Sequence, residues 1–155
     1  MTEEQMNIYK MRITQAGIGE LVVIMLEMEM QWLDEALKAF EKKETEEFLS
    51  CLKKAQGTQV ELMNVMNMKN PLAVEVYSVF VFINKQLIEA GIKREIGDLP
   101  RCKVMLQKYY LSFLEVAKTD HAGPVMEQSE KVYAGLTYGT GGLVENSVGG
   151  TEYKV

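Results

Sequence analysis

The sequence predicts an all-α protein, an antiparallel up-and-down four-helix bundle with a short N-terminal segment and a Gly-rich C-terminal tail. Between residues 18 and 118, apolar side chains recur at spacings of three and four in four long stretches, which is the period of an amphipathic helix. The polar breaks between these stretches are short, so successive helices are expected to be antiparallel neighbours. Of the 12 glycines, 5 lie in residues 1–120 and 7 in residues 121–155. We therefore predict three parts: an N-terminal segment (1–17), a bundle (18–120) and a flexible tail (121–155).

The first two helices are expected at residues 18–42 and 46–67. The first carries two adjacent apolar stripes, which together form a face too broad for one partner helix and suited to a bundle interior. Thr45 is predicted to cap the second helix, because its hydroxyl can accept a hydrogen bond from a free backbone N–H of the first turn. The chain has 11 methionines, several of them on these two helices. They either fill the core or line a groove for a partner helix, since methionine repacks against varied surfaces.

The third helix is predicted over residues 71–90, although its many β-branched and aromatic residues favour a strand locally. Pro71 suits a first helical position, Gly91 suits a helix end, and the apolar run is too long for a typical strand. Such a helix is apolar nearly all round, so a four-helix bundle leaves part of it uncovered, and we expect an additional cover. The fourth helix is expected to begin near Asp98, its predicted cap, and core-spaced residues continue to Val116.

Composition and charge exclude several classes of function. The net charge is −5 and there is no basic block, so neither nucleic acid nor anionic lipid is an expected partner. No run approaches the ~20 apolar residues that span a bilayer, so we expect a cytoplasmic protein without stable membrane insertion. Cys51 and Cys102 lie far apart, and the single histidine excludes sites built on paired imidazoles. We expect no metal and no cofactor.

The chain also lacks a set of residues for catalysis, and we expect no enzyme. The one histidine, His121, is read as a linker residue, and the stretch 139–142 lacks the lysine and the strand–helix context of a phosphate loop. Neighbouring acidic residues, such as Glu27 with Glu29 or Glu46 with Glu47, are expected on solvated faces, since no group that would tune them stands nearby in the sequence.

Two stretches resemble a known family. Lys54-Ala55-Gln56, followed by Glu61-Leu62-Met63 and Asn67-Met68, is similar to the "KAQ…EL…L(N/D)M" stretch of the flagellar secretion chaperone FliS family. Residues 77–93, YSVFVFINKQLIEAGIK, resemble that family's "YSLYDYINRRLIEANIK" without a gap and form the more specific match. The resemblance extends more weakly from about Tyr9 to Lys118.

The resemblance implies an antiparallel helical bundle in the cytoplasm that binds the disordered C-terminal region of flagellin. It implies that this binding prevents premature polymerisation and that flagellin is then presented to the flagellar type III export gate. By position in the matching stretches, Gln56 and Asn84 are the expected polar anchors for the incoming chain. The expected apolar contacts are Met63, Tyr77, Phe80 and Leu87. In the family the N-terminal segment can cover this groove, and here Ile8 and Tyr9 are the expected cap or export-gate contacts.

The departures from the family leave alternatives open. Asn84-Lys85-Gln86 stands where the family has "NRR", which removes both guanidinium groups and the bidentate pairing they would allow. The alternative function is an interaction module that forms a homodimer through the third helix and serves another assembly or secretion system. Some tail residues would be able to compete for the groove, although a solvated tail is the default expectation. These residues are Tyr133, Leu136, Tyr138 and Tyr153.

Overall fold

The computed structural model describes residues 1–66, 68–69 and 71–119, except for the side chain of Leu72. This part of the chain contains five helices and no strand, which confirms the all-α prediction for it. The helices are α1 (Glu3–Gln15), α2 (Ile18–Glu41), α3 (Thr45–Asn64), α4 (Pro71–Lys93) and α5 (Leu99–Thr119). None of the described helices is long and apolar enough to cross a membrane. The predictions for His121, for residues 139–142 and for the tail concern residues outside the described part.

The N-terminal segment forms a helix that the apolar spacing did not predict. The side chain of Thr2 accepts a hydrogen bond from the backbone N–H of Gln5 at 3.2 Å, and the backbone N–H of Thr2 donates to Oε1 of Gln5 at 2.8 Å. This reciprocal arrangement is a capping box, which satisfies two donors that the first helical turn leaves free. Glu3 and Glu4 add negative charge at the positive end of the helix. The sequence signal was therefore the spacing of Thr2 and Gln5.

Helix α2 is the centre of the described fold. It contacts α1, α3 and α5, and every residue from Leu21 to Leu26 is buried. Its contacts with α3 run in opposite order along the two helices. The rings of Phe40 and Phe48 lie 5.3 Å apart, whereas Nζ of Lys54 lies 4.6 Å from the ring centroid of Trp32. The broad apolar face predicted for this helix is thus buried by several neighbours rather than by one.

The remaining contacts complete a cyclic arrangement. α4 packs against α3 and α5, and α5 packs against α2. Tyr110 of α5 donates a hydrogen bond to Glu27 of α2 at 3.1 Å, and Lys103 forms an ion pair with Asp34. These two contacts also run in opposite order along α2 and α5. The up-and-down order of all four helices, with α4 included, stays a prediction.

The turn between α2 and α3 is closed by a left-handed residue that is not glycine. Lys43 has φ of 60°, its N–H donates to the carbonyl of Phe40 at 3.0 Å, and the N–H of Glu44 donates to the carbonyl of Ala39 at 2.9 Å. These two bonds form a Schellman motif, which usually has glycine at the left-handed position. The cap predicted at Thr45 was wrong: Glu44 is the N-cap residue, it makes no side-chain capping bond, and Thr45 is the first helical residue.

The end of α4 repeats this geometry. The helix continues to Lys93, past the end predicted at Gly91, and Arg94 takes the left-handed conformation with φ of 54°. The N–H of Glu95 donates to the carbonyl of Ala90 at 3.3 Å, which closes the last turn. Glycine at position 91 is tolerated inside the helix, so glycine alone did not mark the boundary.

The core contains polar groups without partners. Glu29 is 0% exposed, and neither of its carboxylate oxygens has a hydrogen-bond partner among the described residues. The expectation that Glu29 lies on a solvated face was therefore wrong, because α2 is surrounded where Glu29 lies. Burial raises the pKa of this carboxyl well above its ordinary value. Both amide atoms of Gln59 and Nε1 of Trp32 are likewise buried without a partner in the described part.

Replacing Lys43 by glycine is expected to stabilise the fold by about 1 kcal/mol, since a left-handed residue without Cβ loses the steric penalty. Urea unfolding followed by circular dichroism measures the change. The matched control is Lys42→Gly, because Lys42 has a right-handed conformation with φ of −80°. A gain from both substitutions, or a loss from Lys43→Gly, contradicts the assignment.

Replacing Glu29 by methionine is expected to stabilise the fold at pH 7 by on the order of 1–3 kcal/mol, because it removes a buried polar group without a partner. The gain should depend on pH. In the folded state Glu29 stays protonated above the pH at which the unfolded chain releases this proton. The stability that the parent draws from holding this proton is fully present below the unfolded pKa and is lost as pH rises through the folded pKa. The gain from Glu29→Met should therefore grow as pH rises over this range.

Urea unfolding from pH 4 to 8 measures this difference between the variant and the parent. Glu20→Met, at an exposed position of the same helix, is the control and should show no such pH-dependent gain. A pH-independent difference between Glu29→Met and the parent would count against a buried, protonated carboxyl.

Candidate partner-binding site

An open apolar groove lies between α3 and α4. It is lined by Leu49, Leu52 and Gln56 from α3 and by Leu87, Ile88 and Ile92 from α4. Lys53 and Gly91 complete the lining, and Lys53 is the only charged residue among these eight described residues. A Cβ at Gly91 would meet Cδ1 of Leu52 at 4.0 Å, which is ordinary contact. The groove therefore offers apolar walls with one amide and one ammonium group at its surface.

The outer side of α4 adds to this apolar surface. Val74, Val81, Ile88 and Ile92 are 44%, 47%, 41% and 78% exposed. The first three are spaced by seven residues, so they lie along one side of the helix. Contiguous exposed apolar surface on a globular domain commonly marks an interaction site. Within the part of the chain that the structure describes, this side of α4 is left uncovered, as its apolar sequence predicts.

Of the three apolar contacts predicted on α4, Leu87 lines the groove, whereas Phe80 and Tyr77 do not. Phe80 is 0% exposed, and its ring lies 6.2 Å from that of Tyr109 in an edge-to-face arrangement. Leu87 is only 2% exposed, although it lines the inner wall of the groove. Tyr77 is half-buried and packs against the core. Phe80 therefore belongs to the core of the closed bundle, and a partner would reach it only if the bundle opened.

Of the predicted residues Gln56, Met63 and Asn84, the structure places only Gln56 in the groove. Gln56 is half-buried and lies in the groove, as its predicted role requires. Asn84 is half-buried, and its Oδ1 is buried without a hydrogen-bond partner among the described residues. Met63 is half-buried against the core. Of the six predicted residues, only Gln56 and Leu87 line the groove.

The sequence reasoning missed the two exposed apolar residues of the groove, Ile88 and Ile92. The sequence places Val81, Ile88 and Ile92 on one side of α4, next to the stripe of Phe80, Ile83 and Leu87. Because both stripes are apolar, their spacing does not say which of them is buried. Resemblance to a family gives the position of a residue in the chain, whereas exposure depends on how the helix is rotated in the bundle.

The methionines also divide between the two predicted roles. Met25, Met28 and Met66 are buried in the core, and Met30 and Met63 pack against it. Met68 is 47% exposed at the connection to α4. Core packing therefore explains most of the methionines on α2 and α3.

Helix α1 is held on α2 by polar contacts around Glu27. Both terminal guanidinium nitrogens of Arg12 donate to the two carboxylate oxygens of Glu27, and Tyr110 donates to the same carboxylate. Tyr9 donates to Oε1 of Gln31 at 3.2 Å. The bond to Glu27 raises the pKa of Arg12, while burial, followed by the charge of Glu27, raises the pKa of Tyr110. Glu27 is thus half-buried and paired, contrary to the solvated face expected for it.

Neither of the two predicted cap residues lines the α3–α4 groove, and Tyr9 lies beside α2. Tyr9 contacts Gln31 of α2, and Ile8 is 51% exposed. A capping role over that groove would require α1 to move, and it stays a prediction.

A second cluster joins α2 and α3. Glu35, Glu47 and Cys51 place one potential ligand atom each within 4.8 Å of one another. The thiol of Cys51 donates to Oε1 of Glu47 at 3.4 Å, and Glu35 pairs with the ammonium group of Met1. Burial, together with the bond to Glu47, raises the pKa of Cys51 to about 12. The three side chains are thus held together by a hydrogen bond between α3 residues and by an ion pair with the N-terminus.

Comparison with models of known protein families gives a match over most of the chain. The family model described as "Flagellar protein FliS" matches residues 2–120, which is more than three quarters of the chain. No curated protein matches the chain. The matched region includes α1 and ends directly after α5.

Replacing Glu27 by alanine is expected to release α1 from α2, since it removes the acceptor shared by Arg12 and Tyr110. Hydrogen exchange of residues 3–15 should rise several-fold, which corresponds to about 1 kcal/mol for a partly exposed bidentate pair. Glu20→Ala, on the exposed side of the same helix, is the control. Equal exchange rates in the two variants would show that apolar contacts alone hold α1.

Proposed function

The chain belongs to the FliS family of flagellar export chaperones, and on that basis we propose that it binds the disordered C-terminal region of flagellin. In this proposal the protein acts in the cytoplasm as an antiparallel four-helix bundle. It prevents flagellin from polymerising prematurely and delivers it to the flagellar type III export gate. No chemical step is required, so the protein acts by binding alone, without a cofactor.

The apolar groove between α3 and α4 is the observation that supports this proposal most directly. A disordered amphipathic segment becomes helical when its apolar stripe is buried, and a groove between two helices is a common receptor for such a stripe. Ordering the segment costs conformational entropy, so the receptor must supply a long apolar surface. The exposed side of α4 extends the groove toward Val81 and Val74 and provides that length.

Each groove residue has a role that follows from its chemistry. Leu52, Leu87 and Ile88 would receive the apolar side chains of the client. The amide of Gln56 would bond to a backbone group that the client exposes at a helix end, and Lys53 would pair with an acidic residue. Asn84 has an unpartnered buried oxygen within the described part and would accept a bond if the helices moved apart. Met63, Tyr77 and Phe80 support α3 and α4 from inside.

The second candidate function is dimerisation through α4, and one observation favours it. Val74, Val81 and Ile88 are exposed at intervals of seven residues, as along the seam of a coiled coil. Light scattering of the purified protein over a range of concentrations, with and without the flagellin C-terminal region, separates the candidates. A dimer that persists with flagellin bound would favour the second candidate.

Replacing Ile92 by glutamate is expected to weaken binding of the flagellin C-terminal region at least ten-fold, because a charge then enters the apolar end of the groove. Titration calorimetry measures the dissociation constant. The matched control is Val104→Glu: Val104 is 69% exposed on α5, outside the groove, and should leave the constant unchanged.

Both substituted side chains are largely exposed, so both variants should retain the melting temperature of the parent within a few degrees. Equal affinity in the two variants, or no binding by the parent, would contradict the proposed groove.

A further inference from the structure

The chain carries a segment that the family match does not include. The match ends at residue 120, and 35 further residues follow, 121–155. They lie outside the described part, but their sequence is known. Acidic residues Glu127 and Glu130 precede an apolar cluster at 132–138, Val-Tyr-Ala-Gly-Leu-Thr-Tyr, and a Gly-rich stretch follows it. The apolar side chains of this cluster are either exposed to water, which is unfavourable, or packed on another surface.

This cluster is within reach of the groove. Tyr109 contacts Phe80, Thr119 lies ten residues beyond Tyr109, and Ile88 lies eight residues beyond Phe80. At ~1.5 Å per helical residue, Thr119 and Ile88 are separated by at most about 27 Å along the bundle, plus ~10 Å between helices. An extended chain covers this distance in about 12 residues. Tyr133 is the fourteenth residue after Thr119, so it reaches the groove in either helix direction.

The groove also fits this segment in chemistry. Its described lining is apolar except for Gln56 and the positively charged Lys53. Residues 121–155 contain four acidic and two basic side chains, a net charge of −2. Glu127 and Glu130 lie shortly before the apolar cluster, with Lys131 between Glu130 and Val132. One of the two carboxylates is able to approach Lys53 while the aromatic side chains enter the groove.

We propose that residues 127–138 of the same chain dock in the α3–α4 groove and that an incoming client must displace them. A tethered segment has an effective concentration of about 1 mM, so a dissociation constant of ~1 mM for the free segment is sufficient to fill half of the grooves. Such docking covers Ile88 and Ile92 before a client arrives. It lowers the apparent affinity for any client in proportion to the fraction of grooves that are filled.

Methyl NMR on the full chain tests the docking without a client. The isoleucine methyl signals of the parent are compared with those of a variant carrying Tyr133→Ser, Leu136→Ser and Tyr138→Ser. The proposal expects the signals of Ile88 and Ile92 to shift, while those of Ile13 and Ile24, which are buried, stay unchanged. Coincident spectra would overturn it.

A spin label at Thr140→Cys identifies the occupant. Cys51 and Cys102 are buried, so the label reacts at position 140. Signal broadening at Ile88 and Ile92 that is independent of protein concentration supports docking within one chain. Broadening that requires a second, spin-labelled copy, or no broadening, would overturn the proposal.

Competition is measured separately with the flagellin C-terminal region as the probe. The triple tail variant should bind it at least two-fold more tightly than the parent. Equal affinities would overturn displacement by a client. If the probe binds neither protein, flagellin is not the client and the proposed function fails, whereas the NMR result on docking stands by itself.

Discussion

The burial of α2 is the constraint on which the rest of this structure depends. Its residues from Leu21 to Leu26 are all buried, which requires other helices on several sides of its first half. α1, α3 and α5 meet that requirement. Because apolar surface removed from water stabilises the fold by roughly 25 cal/mol per Å², satisfying this helix dominates the arrangement of the bundle. The carboxyl of Glu29, which has no hydrogen-bond partner among the described residues, is tolerated within that arrangement.

Helix α4 is in the opposite situation. Its inner stripe packs against α3 and α5, but the described helices leave its outer side in contact with water. α1, which would be able to cover it, is instead bound to α2 through Arg12 and Glu27. The additional helix, α1, therefore packs on α2, which α3 and α5 already contact. An apolar surface remains beside α3 among the described residues, and it is the surface that we propose as the binding site for a client.

Much of the fold was predictable because helical periodicity survives in the sequence, whereas the details that depend on three-dimensional context were not. Both ends of α2 and the start of α5 were placed within about a residue of where the structure has them. α1 was missed although Thr2 and Gln5 have the spacing of a capping box. Lys43 and Arg94 close helices in a conformation for which glycine is the usual signal. The rotation of α4 decided that Phe80 is internal and Ile92 external, and neither spacing nor resemblance encodes that rotation.

The burial of the two cysteines determines how their thiols react under oxidising conditions. Cys51 and Cys102 are buried, and burial is the main reason that the pKa values of their thiols rise to about 12 and about 11. Only the thiolate attacks a disulfide or a peroxide, and almost none is present at neutral pH. Copies of the protein concentrated in one place should therefore remain unlinked during oxidative stress. The two thiols thus contribute to packing and, at Cys51, to the hydrogen bond with Glu47, rather than acting as sensors of redox state.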